Sequence, residues 1–127
     1  MYTILVIDDN PTIRKVLTNI LKTEKYKVLT SVHAAEGVTA AVRERPDLIL
    51  LDVVLPDENG IDVCARLKSM PETKHIPVIL MTGEAIDVDN KIEGIEGGAE
   101  DYITKPFMPE EVLARVKGIL KRNFNIK

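Results

Sequence analysis

Leu48-Ile49-Leu50-Leu51-Asp52-Val53-Val54-Leu55-Pro56 is an aliphatic run broken by a single carboxylate. Apolar residues in succession, without polar alternation, suit a strand covered on both faces by helices. An aspartate ending such a run is expensive to desolvate unless it has a partner or a task. Three other stretches end in the same manner: Ile4 to Ile7 run into Asp8-Asp9, Val78 to Met81 into Thr82, and Tyr102-Ile103-Thr104 into Lys105-Pro106. Lys27 to Thr30 reads as one more strand.

The segments between these strands read as helices. Ile13, Val16, Leu17, Ile20 and Leu21 fall on one helical face, and Asn10-Pro11 supplies an N-cap followed by a proline at the first helical position. Val112, Leu113, Val116, Ile119 and Leu120 repeat the spacing, with Pro109-Glu110-Glu111 opening the helix and Lys121-Arg122 closing it, as the helix dipole favours. Weaker patterns mark Ala34, Val38, Ala41 and Val42 before Pro46; Val63, Leu67 and Met70 after Asn59-Gly60; and Val88, Ile92 and Ile95 before Gly97-Gly98. Strand and helix alternate five times, which predicts an α/β fold with a parallel sheet.

The chain of 127 residues carries no Gly/Ser-rich linker, repeat or low-complexity stretch, so one domain over 1–127 is expected. A formal net charge of −3 argues against a broad nucleic-acid surface, which needs clustered Lys and Arg. Cys64, the only cysteine, has no internal disulfide partner and reads as a small core or boundary residue of a helix. The aliphatic stretches fall far short of the roughly 20 residues of a membrane span, and no basic segment leads into an apolar one at the N-terminus. A soluble, cytoplasmic protein is expected.

If the strands lie side by side, three carboxylates, a hydroxyl and an ammonium converge at the edge where open α/β sheets bind ligands. Adjacent aspartates are common on surfaces, and Asp8-Asp9 alone reads equally well as a solvated loop before a helix. Asp52 alters the balance, because three neighbouring negative charges repel one another unless a cation binds. Hard oxygen ligands with positions left for water suit Mg²⁺. A carboxylate is also a nucleophile that forms an acyl phosphate by in-line attack on phosphorus. The Thr82 hydroxyl can donate to a phosphoryl oxygen, and Gly83 leaves the backbone beside it open. Lys105 precedes Pro106, whose peptide bond can be cis and aim the ammonium inward as a counter-charge. The ordinary readings are a strand-favouring threonine and a surface lysine.

Asp8-Asp9, Leu51 to Pro56, Pro77 to Thr82, and Gly98-Ala99-Glu100-Asp101-Tyr102 through Lys105-Pro106-Phe107 resemble, in order and over the whole chain, the motifs of bacterial response-regulator receiver domains, with chemotaxis regulators as the nearest type. The resemblance implies a doubly wound, flavodoxin-like (βα)5 sheet of five parallel strands in the order 2-1-3-4-5; the alternation itself does not give that order. It implies that Asp52 accepts a phosphoryl group from a sensor histidine kinase or phosphotransfer protein. Asp9 and Asp52 match the side chains that hold Mg²⁺, with Asp8 acting largely through water and the Val54 backbone carbonyl as a further ligand. Thr82 matches the switch hydroxyl, Lys105 the phosphate-pairing lysine, and Tyr102 the aromatic that turns inward when the threonine moves. The implied switching surface comprises the helix after Thr82, the last strand and the last helix. No enzyme activity beyond self-phosphorylation and autodephosphorylation follows.

Lys91, Asp101, Glu111, Arg115 and Arg122 resemble the charged pairs through which receivers of winged-helix transcription factors dimerise, although Gly97 and Glu100 depart from that pattern. Ordinary solvated charge is the plainer reading. No effector segment follows Lys127, so a single-domain regulator and a receiver excised from a larger protein are both expected readings, each acting on a downstream effector. Val54 and Glu84 flank the path of an attacking water, which makes phosphoryl lifetime sensitive to both. His33 and His75 read as surface or turn residues. Two other classes fit poorly. A haloacid-dehalogenase-type phosphatase needs an aspartate two residues after its nucleophile, where Val54 stands, and a flavodoxin-like electron carrier needs a phosphate cradle where Asp8-Asp9-Asn10 stands.

Overall fold

The run Leu48–Asp52 is buried at every residue because it is the middle strand of the sheet. The computed structural model describes residues 1–83 and 97–124. In chain order these form β1 (Thr3–Ile7), α1 (Pro11–Lys22), β2 (Lys27–Ser31), α2 (Ala34–Glu44), β3 (Leu48–Asp52), α3 (Gly60–Ser69), β4 (Val78–Thr82), β5 (Asp101–Thr104) and α4 (Pro109–Phe124). The strands lie in the order β2-β1-β3-β4-β5, and every neighbouring pair is parallel. The expected helix through Val88, Ile92 and Ile95, with Lys91 and Glu84, lies outside the described residues.

Strand residues alternate between two cores. Leu5, Ile7, Ile49, Leu51 and Leu80 face Ala34 and Ala41 of α2 and Ile61, Cys64 and Leu67 of α3. Ile4, Val6, Leu50, Ile79, Met81 and Ile103 face Leu17 and Leu21 of α1 and Val112, Val116 and Leu120 of α4. Apolar residues are needed on both faces, which is why the central strands show no polar alternation. Cys64 is one of these core residues; burial, the largest influence, pushes its thiol up to about 11, so it is a neutral packing group.

The helix ends follow local chemistry. Asn10 Oδ1 accepts from the N–H groups of Thr12 (2.8 Å) and Ile13 (3.2 Å), and Pro11 starts α1 as expected. Asn59 caps α3 through Ile61 N–H at 2.7 Å. Met70, counted with the periodic face of α3, stands one residue beyond it with φ −96° and ψ 132°, since Pro71 disfavours a helical residue before it. Gly60 opens α3 against the back of β3, where a Cβ would overlap the Asp52 carbonyl oxygen. Among the described residues no helix is long and apolar enough to cross a membrane.

Candidate metal and phosphoryl site

The register carries the chemistry to one edge. Ile7 pairs with Leu51, so Asp8 follows at the level of Asp52. Asp52 pairs with Met81, and Thr82 pairs with Thr104, which precedes Lys105. Four adjacent strands thus end together on Asp8, Asp52, Thr82 and Lys105.

Asp8 is fully buried and tied at every polar group. Its N–H donates to the Ser31 carbonyl at 3.1 Å, and its own carbonyl accepts from Arg14 Nη1 at 2.8 Å. Its Oδ1 accepts from Asn10 N–H at 2.9 Å, and its Oδ2 lies 2.9 Å from Lys105 Nζ. Asp52, 6% exposed, accepts from Val54 N–H at 3.1 Å and lies 3.2 Å from Lys105 Nζ. Asp9 is exposed, yet Asp8, Asp9 and Asp52 each bring a carboxylate oxygen within 4.8 Å of the others. Such a set of hard oxygen donors fits Mg²⁺ by its chemistry.

Burial, and then repulsion from Asp8, hold the Asp52 carboxyl above the ordinary range, while Lys105 and the Val54 N–H pull against them. For Lys105, burial is the largest influence and favours the neutral amine, but the hydrogen bond to Asp8 and the charges of Asp52 and Asp8 together outweigh it, leaving the ammonium above its usual value. The Lys105-Pro106 bond is cis. Thr82 is 2% exposed, and its Oγ1 is buried without a hydrogen-bond partner among the described residues.

The other expected residues fall in two groups. Val54 is 73% exposed at the rim, and Tyr102 is half-buried against the core shared with α2 and α3. Away from the edge, Arg115 Nη1 donates to Asp101 at 2.8 Å and Arg115 Nε to Glu111 at 3.4 Å; these proposed dimer residues pair within the chain. Arg122 is exposed, and Lys91 and Glu84 lie outside the described residues. His33 caps α2, its Nδ1 accepting from Glu36 N–H at 3.4 Å.

Among the contacts not foreseen are those of Arg14 and Asp57. Arg14 reaches back from α1 to the Asp8 carbonyl; its place four residues after the Asn10 cap was a usable signal. Asp57, in the loop after β3, accepts from the N–H groups of Ala34 (2.8 Å) and Ala35 (3.1 Å) at the start of α2. A contact 23 residues apart in sequence leaves no local signature.

The geometry also weighs against the other classes. The position two residues after Asp52 holds an exposed valine that can neither give nor take a proton, and the β1–α1 loop presents carboxylates where a flavin phosphate would need donors.

Residues 4–117 match the family model of the response regulator receiver domain. The phosphate regulon transcriptional regulatory protein PhoB of Pseudomonas aeruginosa is 43% identical over 120 residues, covering 94% of this chain and 52% of that protein. The DNA-binding response regulator MtrA of Mycolicibacterium smegmatis is 41% identical, covering 94% of this chain and 51% of its own length. The chain spans about half the length of these curated relatives. A CheY-like response regulator receiver domain protein from Methanospirillum hungatei JF-1 superposes with a TM-score of 0.90 at 29% identity, covering 97% of this chain and 96% of that one. The BeF3-activated N-terminal receiver domain of Klebsiella pneumoniae RstA superposes with a TM-score of 0.85 at 29% identity, covering 94% and 98%.

Proposed function

Because the chain belongs to the response regulator receiver family, we propose that it is a phosphorylation-activated switch in which Asp52 takes a phosphoryl group from the phosphohistidine of a sensor kinase or phosphotransfer protein. The observation that carries this reading is the charge balance at the sheet edge. Three carboxylates converge there, and one ammonium, that of Lys105, serves both Asp8 and Asp52. The carboxylates outnumber the cation they share, and the excess negative charge suits a divalent cation.

In the transfer, an Asp52 oxygen attacks phosphorus, the phosphorus–nitrogen bond to the donor histidine breaks, and an acyl phosphate forms. Lys105 keeps its contact to Asp8 and turns its charge toward the phosphoryl oxygens. Asp8, Asp9 and Asp52, with the Val54 carbonyl, would hold Mg²⁺, which when bound draws negative charge off the carboxylate and phosphoryl oxygens. The Thr82 hydroxyl, without a partner among the described residues, gains an acceptor in the phosphoryl group, and Tyr102 fills the space that the threonine side chain leaves. The face around β5 and α4 is then biased toward its active arrangement. This is a signalling module whose chemistry is confined to gaining and losing its own phosphoryl group.

Relatives described as transcriptional and DNA-binding regulators favour an effector that acts on DNA, with this domain contacting the kinase and not the nucleic acid. Phosphorylation-dependent pairing of two copies through Lys91, Asp101, Glu111, Arg115 and Arg122 accompanies that reading. Each exposed pair contributes only about 0–1 kcal/mol, so dimerisation exchanges the pairs within a chain for pairs between chains. Monomers by sedimentation at micromolar concentration, with and without phosphorylation, would discard it.

The test of the primary reading is intact mass after incubation with acetyl phosphate and Mg²⁺, beside Asp52→Asn and a chelator control. One metal-dependent phosphoryl gain, absent in the variant, is expected. No gain from either acetyl phosphate or a phosphohistidine donor would overturn it.

A further inference from the structure

We propose that Arg14 is a positioning residue for the divalent cation, holding the Asp9 carboxylate over the acidic cluster by clamping the main chain of Asp8. The proposal rests on the function proposed above. Asp8 and Asp9 perform different tasks from adjacent positions: the Asp8 side chain is buried and held at both oxygens by Asn10 N–H and Lys105, whereas the exposed Asp9 carboxylate accepts no hydrogen bond among the described residues. Nothing of its own fixes Asp9 beside the other carboxylates. Its place depends on the Asp8–Asp9 peptide plane, and both ends of Asp8 are tied.

The N–H of Asp8 continues the ladder to Ser31, a bond the sheet supplies. Its carbonyl lies past the end of β1. Arg14 Nη1 takes it at 2.8 Å, from a helix whose first turn is fixed by the Asn10 cap and by the Arg14 N–H bond to the Asn10 carbonyl at 3.0 Å. Carbonyl, loop and helix thereby form one closed link across which Asp9 hangs. Residues that orient metal ligands are typically worth about 10–100-fold in metal affinity.

Charge and position predict opposite signs. A guanidinium near the cluster repels a cation, so removing it for electrostatic reasons alone tightens Mg²⁺ binding. Loss of positioning weakens it.

The experiment is calorimetric titration of the metal-free full chain with Mg²⁺, comparing wild type, Arg14→Met, Arg14→Lys and Lys15→Ala. Lys15→Ala removes the same charge from the neighbouring, exposed position. Backbone amide resonances of Asp9 and Asn10 are recorded in chelator, and unfolding in chelator checks the fold. We expect Arg14→Met to bind Mg²⁺ about 10-fold more weakly, with displaced Asp9 and Asn10 amides and a folded chain. Arg14→Lys, which keeps a donor, should recover part of the loss, and Lys15→Ala should bind no more weakly than wild type. Should Arg14→Met not fold, the comparison of Arg14→Lys with wild type carries the test through the same amides and titration. A folded Arg14→Met that binds Mg²⁺ as tightly as wild type, or more tightly, or, should it not fold, an Arg14→Lys with displaced Asp9 and Asn10 amides and undiminished Mg²⁺ affinity, overturns the positioning role alone. Wild type that binds no Mg²⁺ overturns the functional reading with it.

Discussion

Lys105 Nζ stands 3.2 Å from Asp52 Oδ2, across a sequence separation of 53 residues and past the end of the intervening strand β4. The same nitrogen is 2.9 Å from Asp8 Oδ2 on the far side. One ammonium therefore spans the ends of β1, β3 and β5, and the two buried carboxylates it joins repel each other. Function and stability conflict at this edge: the arrangement that favours a cation and a phosphoryl group is costly when neither is bound.

The first prediction follows from Asp52. Burial and Asp8 raise its carboxyl above the ordinary range, so its contribution to stability is complete below the unfolded value and is lost as pH rises through the folded one. At neutral pH an ionised Asp52 therefore burdens the metal-free fold. Asp52→Asn should stabilise the protein in chelator near neutrality and do so little or not at all below the carboxylate range. Urea unfolding across pH reads this directly; a variant less stable than wild type at neutral pH would show that Lys105 more than compensates the repulsion.

Asp9 should behave differently. It is exposed and carries no hydrogen-bond or ion-pair partner among the described residues, so Asp9→Asn should leave unfolding in chelator nearly unchanged. It should remove most of the stabilisation that Mg²⁺ gives wild type, which by mass action is about 2.7 kcal/mol at 100 times the dissociation constant. Thermal unfolding with and without Mg²⁺ separates the two effects, and an Mg²⁺-induced shift kept in full by Asp9→Asn would remove Asp9 from the metal site.

The sheet was legible because its determinants are local or periodic. Short uninterrupted aliphatic runs suit strands buried on both faces, and Asn10-Pro11 and Asn59-Gly60 mark helix starts by their own hydrogen-bonding chemistry. The four strand-end residues could be identified for the same reason, since each terminates its run. What escaped was chemistry made by long-range approach. The carboxyl of Asp57 reaches α2 only after both loops have been placed, and Gly60 is required by the nearness of the Asp52 carbonyl, whereas Asn59-Gly60 reads as no more than a helix start. The end of α3 at Ser69 was decided by Pro71, against a hydrophobic spacing that runs on to Met70.

Asp57 gives a prediction of opposite sign to Asp52. The Ala34 N–H, with help from Ala35, holds its carboxyl below the usual range. Its contribution is present above the unfolded value and is lost as pH falls through the folded one. Asp57→Ala should flatten the acid side of the stability profile and speed amide exchange at Ala34 and Ala35. An unchanged acid limb and unchanged exchange would show that His33 alone caps α2.

Thr82 offers the sharpest separation of folding from function. Its hydroxyl is buried without a partner among the described residues, and an unsatisfied buried polar group costs about 1–3 kcal/mol. Valine has nearly the same shape and removes the hydroxyl, so Thr82→Val should raise the stability of the metal-free protein by about 1 kcal/mol. The same substitution removes the donor intended for a phosphoryl oxygen. The further stabilisation produced by Mg²⁺ with beryllofluoride, a phosphoryl mimic, should therefore shrink in Thr82→Val and persist in Thr82→Ser, which keeps the hydroxyl. Urea midpoints in chelator, and with Mg²⁺ and beryllofluoride, give both quantities from one set of curves. If Thr82→Val is destabilised in chelator, the hydroxyl has a partner in solution, and the unpaired donor can no longer be the reason the threonine moves.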